Sequence, residues 1–188
     1  MYNTFHQDRG IRVTKKILCN GKYRRFVSVN DWEFTERANC TGVVVILAMT
    51  DDQKVILVEQ FRTPVGKPVI EFPAGLVGDG KKFDGESFDD AARRELLEET
   101  GYEAKGMIRF LEGPASAASV SDILTFYIAK GLKKVGVGGG DCDESITLYE
   151  VPLNRIEEWL EEQQKRDIWL DPRLYVGIYF LKKWNQIQ

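Results

Sequence analysis

The 188-residue chain has one histidine, three cysteines, no long apolar run and no excess of basic residues. The histidine, His6, lies near the N-terminus, where chains commonly fray. Ser-His or Cys-His nucleophilic catalysis and a histidine-rich metal site are therefore nearly excluded. Cys19, Cys40 and Cys142 are far apart and odd in number, so they predict neither a disulfide framework nor a cysteine metal site.

Charge and hydropathy exclude two further classes of protein. The chain has 26 Lys and Arg against 29 Asp and Glu, a net charge of −3 that provides no basic stripe for nucleic acid. Its apolar segments are too short to span a membrane, and the opening residues MYNTFHQDRG contain no apolar signal region. We expect a cytoplasmic protein that binds neither nucleic acid nor membrane.

Strand-like and helix-like patterns are mixed along the chain. Asn20-Gly21, a preferred pair for a tight turn with positive φ, separates two strand-like segments. Further strands are predicted at residues 42–49, 54–61, 67–76, 107–113, 123–129 and 146–152, the third ending at a Pro-Ala-Gly turn. The runs at 42–49 and 54–61 are almost continuously apolar, which indicates that both of their faces are covered.

Two helices are predicted to close the chain. One carries a buried stripe at Ile156, Trp159 and Leu160, and the other begins with Asp171 as N-cap and Pro172 in its first turn. We predict an α/β (α+β) fold, with a mixed β-sheet sandwiched between α-helices. Residues 1–40 would form an N-terminal β-hairpin extension and residues 41–188 the main domain.

The segment GESFDDAARRELLEETGY (85–102) crowds six acidic residues around one predicted helix. Ser87 and Asp90 form a capping-box pattern at its start, and Gly101 is a typical left-handed stop. The apolar positions recur at helical spacing and predict a buried face made by Phe88, Ala91, Ala92 and Leu96.

Glu95, Glu98 and Glu99 lie at i, i+3 and i+4, so their carboxylates share one face of this helix. Like charges at that spacing cost about 0.2–0.5 kcal/mol per pair. A solvated acidic surface is one explanation for them. The other is a hard divalent cation such as Mg²⁺, which takes several carboxylate oxygens as ligands.

A longer sequence pattern around this helix favours a bound divalent cation over a solvated acidic surface. Gly80, Glu86, Arg94-Glu95-Leu96, Glu98-Glu99 and Gly101-Tyr102 resemble the Nudix box, G-x5-E-x7-R-E-U-x-E-E-x-G-U, in which U is a bulky apolar residue. The resemblance implies a Nudix fold and a hydrolase that uses Mg²⁺, with Mn²⁺ as a possible substitute. It also implies that Glu95 and Glu99 bind the metal, with help from Glu98, and that Arg94 orients Glu98.

The segment Glu59–Leu76 is similar to the one before the box in ADP-ribose pyrophosphatases and related nucleotide-sugar hydrolases. This similarity implies that the Ala74 carbonyl binds metal, that Arg62 contacts the diphosphate, and that Glu71 also belongs to the substrate site. In those relatives the box glycine directly follows the alanine. Here that residue is Gly75, so a five-residue insertion would precede Glu86, and the match of Gly80 would be a coincidence.

Two more segments are assigned by the same resemblance. The relatives carry a catalytic glutamate in the loop that corresponds to GVGGGDCDES, which makes Glu144 the first choice and leaves Asp141 and Asp143 as alternatives. We expect the glycines to make this loop mobile. Where the relatives read Ser-Pro-Gly-x-Ser-x-Glu, this chain has Ile123 in place of the acid, which leaves the role of that acid open.

The N-terminal region supplies the remaining predictions. Relatives stack the nucleobase on aromatic residues there, which implies a substrate-binding role for Trp32 and for Arg37 beyond it. The alternative for Trp32 is core packing. The relatives are homodimers that exchange N-terminal strands, so residues 1–40 are assigned to dimerisation. The apolar last helix is a further candidate for an interface.

The resemblance implies hydrolysis of a nucleoside diphosphate sugar, with ADP-ribose as the first choice and AMP and ribose 5-phosphate as products. GDP-mannose or another nucleotide sugar is the alternative substrate. A non-catalytic ligand sensor of the same fold is the alternative of another class. Such sensors usually lose box carboxylates and carry a DNA-binding module, whereas this chain keeps the carboxylates.

Overall fold

The computed structural model describes residues 14–140 and 145–186, apart from the side chain of Lys81. Within these ranges lie eleven strands and three α-helices. The helices are α1 (Phe88–Thr100), α2 (Ile156–Gln164) and α3 (Arg173–Asn185). The strands are β1 (Lys15–Asn20), β2 (Arg24–Val29), β3 (Trp32–Arg37), β4 (Gly42–Ala48), β5 (Lys54–Arg62), β6 (Lys67–Glu71), β7 (Ala74–Val77), β8 (Tyr102–Pro114), β9 (Ile123–Lys134), β10 (Ile146–Pro152) and β11 (Trp169–Leu170).

The strands form three sheets. The N-terminal sheet is antiparallel, in the order β1-β2-β3. The other two are four-stranded and mixed, in the orders β7-β4-β9-β8 and β10-β5-β6-β11. β4 and β9 are parallel in the first of these, and β6 and β11 in the second. The predicted mixed-sheet architecture is confirmed.

Helices cover both faces of strand β4, which explains its continuous apolar sequence. On one face Val44 and Ile46 belong to the core that includes Ala91, Ala92 and Leu96 of α1. On the other face Val45 and Leu47 share a core with residues of α2 and α3, among them Ile156, Leu160, Leu174 and Ile178. The acidic helix thereby packs against one face of this sheet.

The N-terminal sheet corrects one prediction. The chain reverses after Asn20 as predicted, since β1 and β2 pair antiparallel with Asn20 opposite Arg25, but neither Asn20 nor Gly21 has the positive φ expected for that turn. Positive φ occurs at the next reversal, a two-residue turn at Asn30 and Asp31 with φ of 50° and 67°, between the paired residues Val29 and Trp32. Asn and Asp tolerate this left-handed conformation, and the turn adds a third strand, β3, to the predicted hairpin.

The segment after β6 corrects a second prediction. Ala74 and Gly75 were assigned to a turn, but they open strand β7, which pairs antiparallel with Val45 and Val44 of β4. The bend lies before them, where the Pro73 carbonyl accepts a hydrogen bond from the Ile46 N–H at 2.8 Å. No helix in the described ranges is long and apolar enough to cross a membrane.

Candidate active site

Local hydrogen bonds define both ends of the acidic helix α1, as predicted. The Ser87 Oγ accepts from the Asp90 N–H at 3.1 Å, and the Ser87 hydroxyl donates to the Asp90 carboxylate at 2.7 Å. At the other end Gly101, with φ 72°, donates its N–H to the Leu97 carbonyl at 2.8 Å. These caps fix where the helix begins and ends, while the burial of its two alanines and Leu96 against β4 decides which face it turns away from the core.

Arg94 is the centre of the acidic cluster. Its Nε and Nη2 both donate to the Glu86 carboxylate, at 2.8 and 3.0 Å. Its Nη1 donates to Glu95 at 2.8 Å and to Glu98 at 3.0 Å, and Nη2 also reaches the Leu76 carbonyl at 3.0 Å. The predicted contact between Arg94 and Glu98 is present, with Glu86 as a bidentate partner in addition.

These ion pairs control the charge state of the cluster. The hydrogen bonds from Arg94 are the main cause of a lowered pKa at Glu86, and they outweigh its partial burial. Burial by itself would lower the pKa of Arg94, but the bonds to Glu86 and Glu95 dominate and raise it. Glu86 therefore stays ionised and Arg94 stays charged at neutral pH.

Gly75 forms the surface on which Glu95 rests. A Cβ added at Gly75 would lie 1.8 Å from Cδ and 1.9 Å from Oε1 of Glu95, so a side chain and this carboxylate cannot coexist in these positions. Gly80 has φ of 72°, and a Cβ there would meet nothing within 4 Å. The contact with the acidic helix therefore favours Gly75 over Gly80 as the equivalent of the box glycine.

Glu99 links the same helix to the start of β7. Its side chain is buried, with 4% of the residue exposed, and its Oε2 accepts from the Ala74 N–H at 3.2 Å. Ala74 pairs with Val45 of β4, so the sheet fixes the backbone beside this carboxylate. Two of the four predicted metal-binding residues, Ala74 and Glu99, thus contact each other, although they are 25 positions apart in the chain.

The donor chemistry of this cluster suits a hard divalent cation. Carboxylate and carbonyl oxygens are the ligands that Mg²⁺ takes in proteins, and Glu95, Glu98, Glu99 and Ala74 provide them around β7 and α1. Among the residues that the structure describes, no three Asp, Glu, His or Cys side chains already form a ligand set. Arg94 Nη1 bonds to both Glu95 and Glu98, so a bound cation would compete with it for their oxygens.

Arg62, the last residue of β5, and Glu71, the last residue of β6, form an ion pair. Arg62 Nε donates to Glu71 Oε1 at 2.7 Å, and the Arg62 side chain remains 41% exposed. Glu71 is buried, and its other oxygen lies 3.5 Å from Nη2 of Arg173, which also pairs with Asp171. Sequence reasoning missed Arg173, because no short-range spacing connects the start of α3 to β6.

Trp32 is a surface residue of the N-terminal sheet. It is 62% exposed, so the alternative that it packs in the core is wrong for this structure. Its Nε1 donates to the Ala118 carbonyl at 3.1 Å, which orients the indole while most of the residue stays accessible.

Arg37 is held by an acid that sequence reasoning missed. Asp122 is 9% exposed and accepts from Arg37 at 2.9 Å and from Arg24 at 2.7 Å. It directly precedes Ile123, where the relatives' pattern has an acid, so a search one position away would have found it. Arg37 and Asp122 line a cleft of about 370 Å³ that also includes Phe88 and Glu112 but not the acids at positions 95, 98 and 99.

The described part of the glycine-rich loop is anchored to the end of α1. The N–H groups of Gly139 and Gly140 donate to the carbonyls of Glu99 and Glu98 at 2.9 and 3.1 Å. A Cβ on Gly138, which has φ of 70°, would lie 2.5 Å from the Thr100 carbonyl carbon. Close packing against the helix therefore accounts for Gly138, whereas a Cβ on Gly139 would meet nothing within 4 Å, and the mobility expected of this loop remains a prediction. Asp141, Asp143 and Glu144 lie outside the described residues.

Residues 39–175 match the family model described as the NUDIX domain. The chain belongs to the Nudix family. This match, together with an ADP-ribose pyrophosphatase among its relatives, identifies the chain as a Nudix pyrophosphohydrolase. Divalent metal ions are used by Nudix hydrolases in general, which agrees with the donor chemistry of the acidic cluster.

Three named relatives place this Nudix chain more closely. It is 37% identical over 127 residues to a methanol dehydrogenase activator of Bacillus methanolicus, covering 67% of this chain and 66% of that protein. It is 32% identical over 148 residues to an ADP-ribose pyrophosphatase of Bacillus subtilis, with coverage of 78% and 75%. It is 29% identical over 143 residues to a GDP-mannose pyrophosphatase of Escherichia coli K12, with coverage of 72% and 71%.

A solved structure confirms the fold. The crystal structure of an ADP compounds hydrolase superposes with a TM-score of 0.70 at 20% identity, covering 93% of this chain and 94% of the other. At that identity the similarity concerns the architecture. The arrangement of mixed sheets between helices that the sequence predicted is therefore that of a Nudix hydrolase.

Proposed function

We propose that this Nudix enzyme hydrolyses the diphosphate linkage of a nucleoside diphosphate sugar, with ADP-ribose as the first choice. One P–O bond to the bridging oxygen breaks and the oxygen of a water molecule joins the phosphorus, so that ADP-ribose yields AMP and ribose 5-phosphate. The observation that carries the proposal is the complete acidic cluster around Arg94, packed on Gly75 and extended by Glu99 beside Ala74. Mg²⁺, or Mn²⁺ in its place, is the proposed cofactor.

The chain's own residues perform three tasks in this mechanism. Arg62, partly exposed beside the buried Glu71, binds the diphosphate, since a guanidinium matches phosphate oxygens. Arg94 holds Glu95 and Glu98 in place. Glu144 positions or deprotonates the attacking water, with Glu98 as the assisting base. When bound, the divalent cation neutralises phosphate charge and lowers the pKa of a coordinated water.

A panel of nucleotide sugars tests the function directly. The protein is incubated with ADP-ribose, GDP-mannose and other nucleotide sugars in the presence of Mg²⁺, and products are identified by chromatography. ADP-ribose is expected to have the highest kcat/KM. A preference for GDP-mannose would replace the substrate but keep the reaction. Tight binding of ADP-ribose without turnover would support the sensor instead.

The N-terminal sheet supports a role in dimerisation and base recognition. It exposes the apolar side chains Ile17, Leu18, Tyr23 and Trp32. We propose that residues 1–40 form a dimerisation region and residues 41–188 the catalytic domain, with Trp32 and Arg37 near the nucleobase. Sedimentation of the intact protein as a monomer would contradict the homodimer. A cytoplasmic location remains a prediction from the three scattered cysteines.

The relative named as a methanol dehydrogenase activator suggests a second role, in which the protein acts on a dehydrogenase. The observation that favours a protein partner is an apolar surface at the C-terminus, where Trp169, Tyr175, Val176 and Tyr179 are each more than 40% exposed. Adding the protein to an alcohol dehydrogenase with its nicotinamide cofactor tests this role. An unchanged dehydrogenase rate would exclude it without affecting the hydrolase proposal.

Trp32→Ala is expected to raise KM for ADP-ribose about tenfold or more, because stacking on a base is worth about 1–3 kcal/mol. The value of kcat should change less, since the base lies away from the reacting phosphorus. Trp169→Ala is the matched control, because Trp169 is similarly exposed at 59% but lies on β11. Steady-state kinetics with ADP-ribose measures KM for both variants. Equal KM values in Trp32→Ala and Trp169→Ala would reject the stacking role of Trp32.

Glu144→Gln is expected to lower kcat while substrate still binds, because the carboxylate acts on water rather than on the ground-state nucleotide. Asp141→Asn and Asp143→Asn are the controls. A larger loss in either control would transfer the role of base to that residue. If all three variants stay active, Glu98 and Glu86 become the next residues to test. Single-turnover kinetics and calorimetric binding of ADP-ribose separate the effects on chemistry from those on affinity.

A further inference from the structure

The connection between β7 and α1 contains a feature that the proposed mechanism has not used. With Gly75 as the box glycine it is five residues longer than the family pattern, and a 3₁₀ turn, Lys81–Phe83, lies within it. The ring of Phe83 faces the Arg94 guanidinium, with its centroid 4.2 Å from Cζ. The Lys82 Nζ approaches the same ring at 4.8 Å.

The hydrogen bonds of Arg94 use the edges of its guanidinium group, so the flat face of that group is available to the Phe83 ring. All three guanidinium nitrogens donate, to carboxylates or to the Leu76 carbonyl, and such bonds run near the guanidinium plane. A planar cation over an aromatic ring is attracted by the ring quadrupole, more strongly when water is excluded. The Arg94 side chain is only 17% exposed, so both the ion pairs and the ring contact act in a partly dry environment.

The turn that presents Phe83 is tied to the same cluster. The Phe83 carbonyl accepts from the Glu86 N–H at 3.0 Å, and the Glu86 carboxylate accepts from the Gly78 N–H at 3.4 Å. Glu86 is also the bidentate partner of Arg94. The ring and the guanidinium are therefore positioned by one shared residue, which joins the inserted segment to the acidic helix.

We propose that Phe83 is a positioning residue for hydrolysis, which holds Arg94, and through it Glu95 and Glu98, in the orientation that the reaction needs. The effect on turnover rests on the proposed function, whereas the contact between ring and guanidinium does not. Because Phe83 acts through Arg94, its loss should change kcat while leaving the binding of the nucleotide almost unaltered.

Phe83→Leu removes the ring but keeps an apolar side chain. It is expected to lower kcat about five- to tenfold and to leave KM within about twofold, and Phe83→Tyr should restore kcat to within about twofold. Lys82→Ala is the matched control, because it removes the other cation at the same ring and should leave kcat unchanged. An unchanged kcat in Phe83→Leu, or a failure of Phe83→Tyr to restore it, would overturn the proposal.

Nuclear magnetic resonance provides a readout that needs no turnover. The Arg94 Nε–H signal, identified as the one that Arg94→Lys removes, should move upfield in the field of the Phe83 ring. Phe83→Leu should abolish this displacement and Phe83→Tyr should keep it. The same signal position in the parent and in Phe83→Leu would overturn the contact itself. If the displacement is present but no nucleotide sugar is hydrolysed by the parent, the proposed function fails while the contact stands.

Discussion

Glu99→Gln is expected to lower kcat about 10²- to 10⁴-fold without unfolding the protein. Glutamine keeps the size of the side chain and an oxygen that can accept from the Ala74 N–H, so the buried contact at 3.2 Å can survive. What is lost is a negative charge beside the proposed metal site, and losses of this size follow the removal of a main electrostatic stabiliser. Activity is measured at saturating Mg²⁺, and thermal unfolding reports on the fold.

The control for this prediction is Glu103→Gln, which changes an exposed glutamate on β8 in the same way. That variant should keep the parent's kcat. Chelation by EDTA should abolish turnover of the parent protein, and added Mg²⁺ should restore it. A Glu99→Gln variant that turns over at nearly the parent's rate in saturating Mg²⁺ would remove Glu99 from the metal site.

Gly75→Ala is expected to lower kcat about 10²-fold while the melting temperature changes little. The new Cβ would lie 1.8–2.4 Å from the Cδ, Oε1 and Cγ atoms of Glu95, so one of the two must move. The flexible end of Glu95 yields more easily than the paired backbone of β7, which displaces a carboxylate of the acidic cluster. A misplacement of about 1 Å at a catalytic group can cost about 10²-fold in rate.

Two other glycines make the test of Gly75 specific. Gly113→Ala adds the same methyl group to strand β8, where nothing lies within 4 Å, and should leave kcat unchanged. Gly80→Ala strains a residue with φ of 72° but contacts no carboxylate, so it should affect stability more than kcat. If Gly80→Ala inactivates the enzyme and Gly75→Ala does not, Gly80 is the box glycine after all.

Local signals allowed the acidic helix to be predicted from the sequence. The helix begins after Ser87 and ends at Gly101, and the hydrogen bonds that cap it reach no further than four residues along the chain. The buried alanines and Leu96 follow from its periodicity. The strands at the centre of the fold were predicted for the same reason, since apolar runs between turn residues need little knowledge of their neighbours. The hairpin at Asn20-Gly21 was predicted for the same reason, but its positive φ was wrong, because the loop is longer than two residues and Gly21 donates its N–H to the Arg24 carbonyl.

The sequence by itself determined the family, the acidic helix and the identity of its carboxylates, because the order of residues within one helix fixes which of them share a face. The tertiary structure decided which glycine supports Glu95, which acid holds Arg37, and that Phe83 covers Arg94. Asp122 meets Arg37 and Arg24 across 85 and 98 residues, and Glu99 meets Ala74 across 25. Contacts of that range depend on the register and stacking of sheets, which no local spacing encodes.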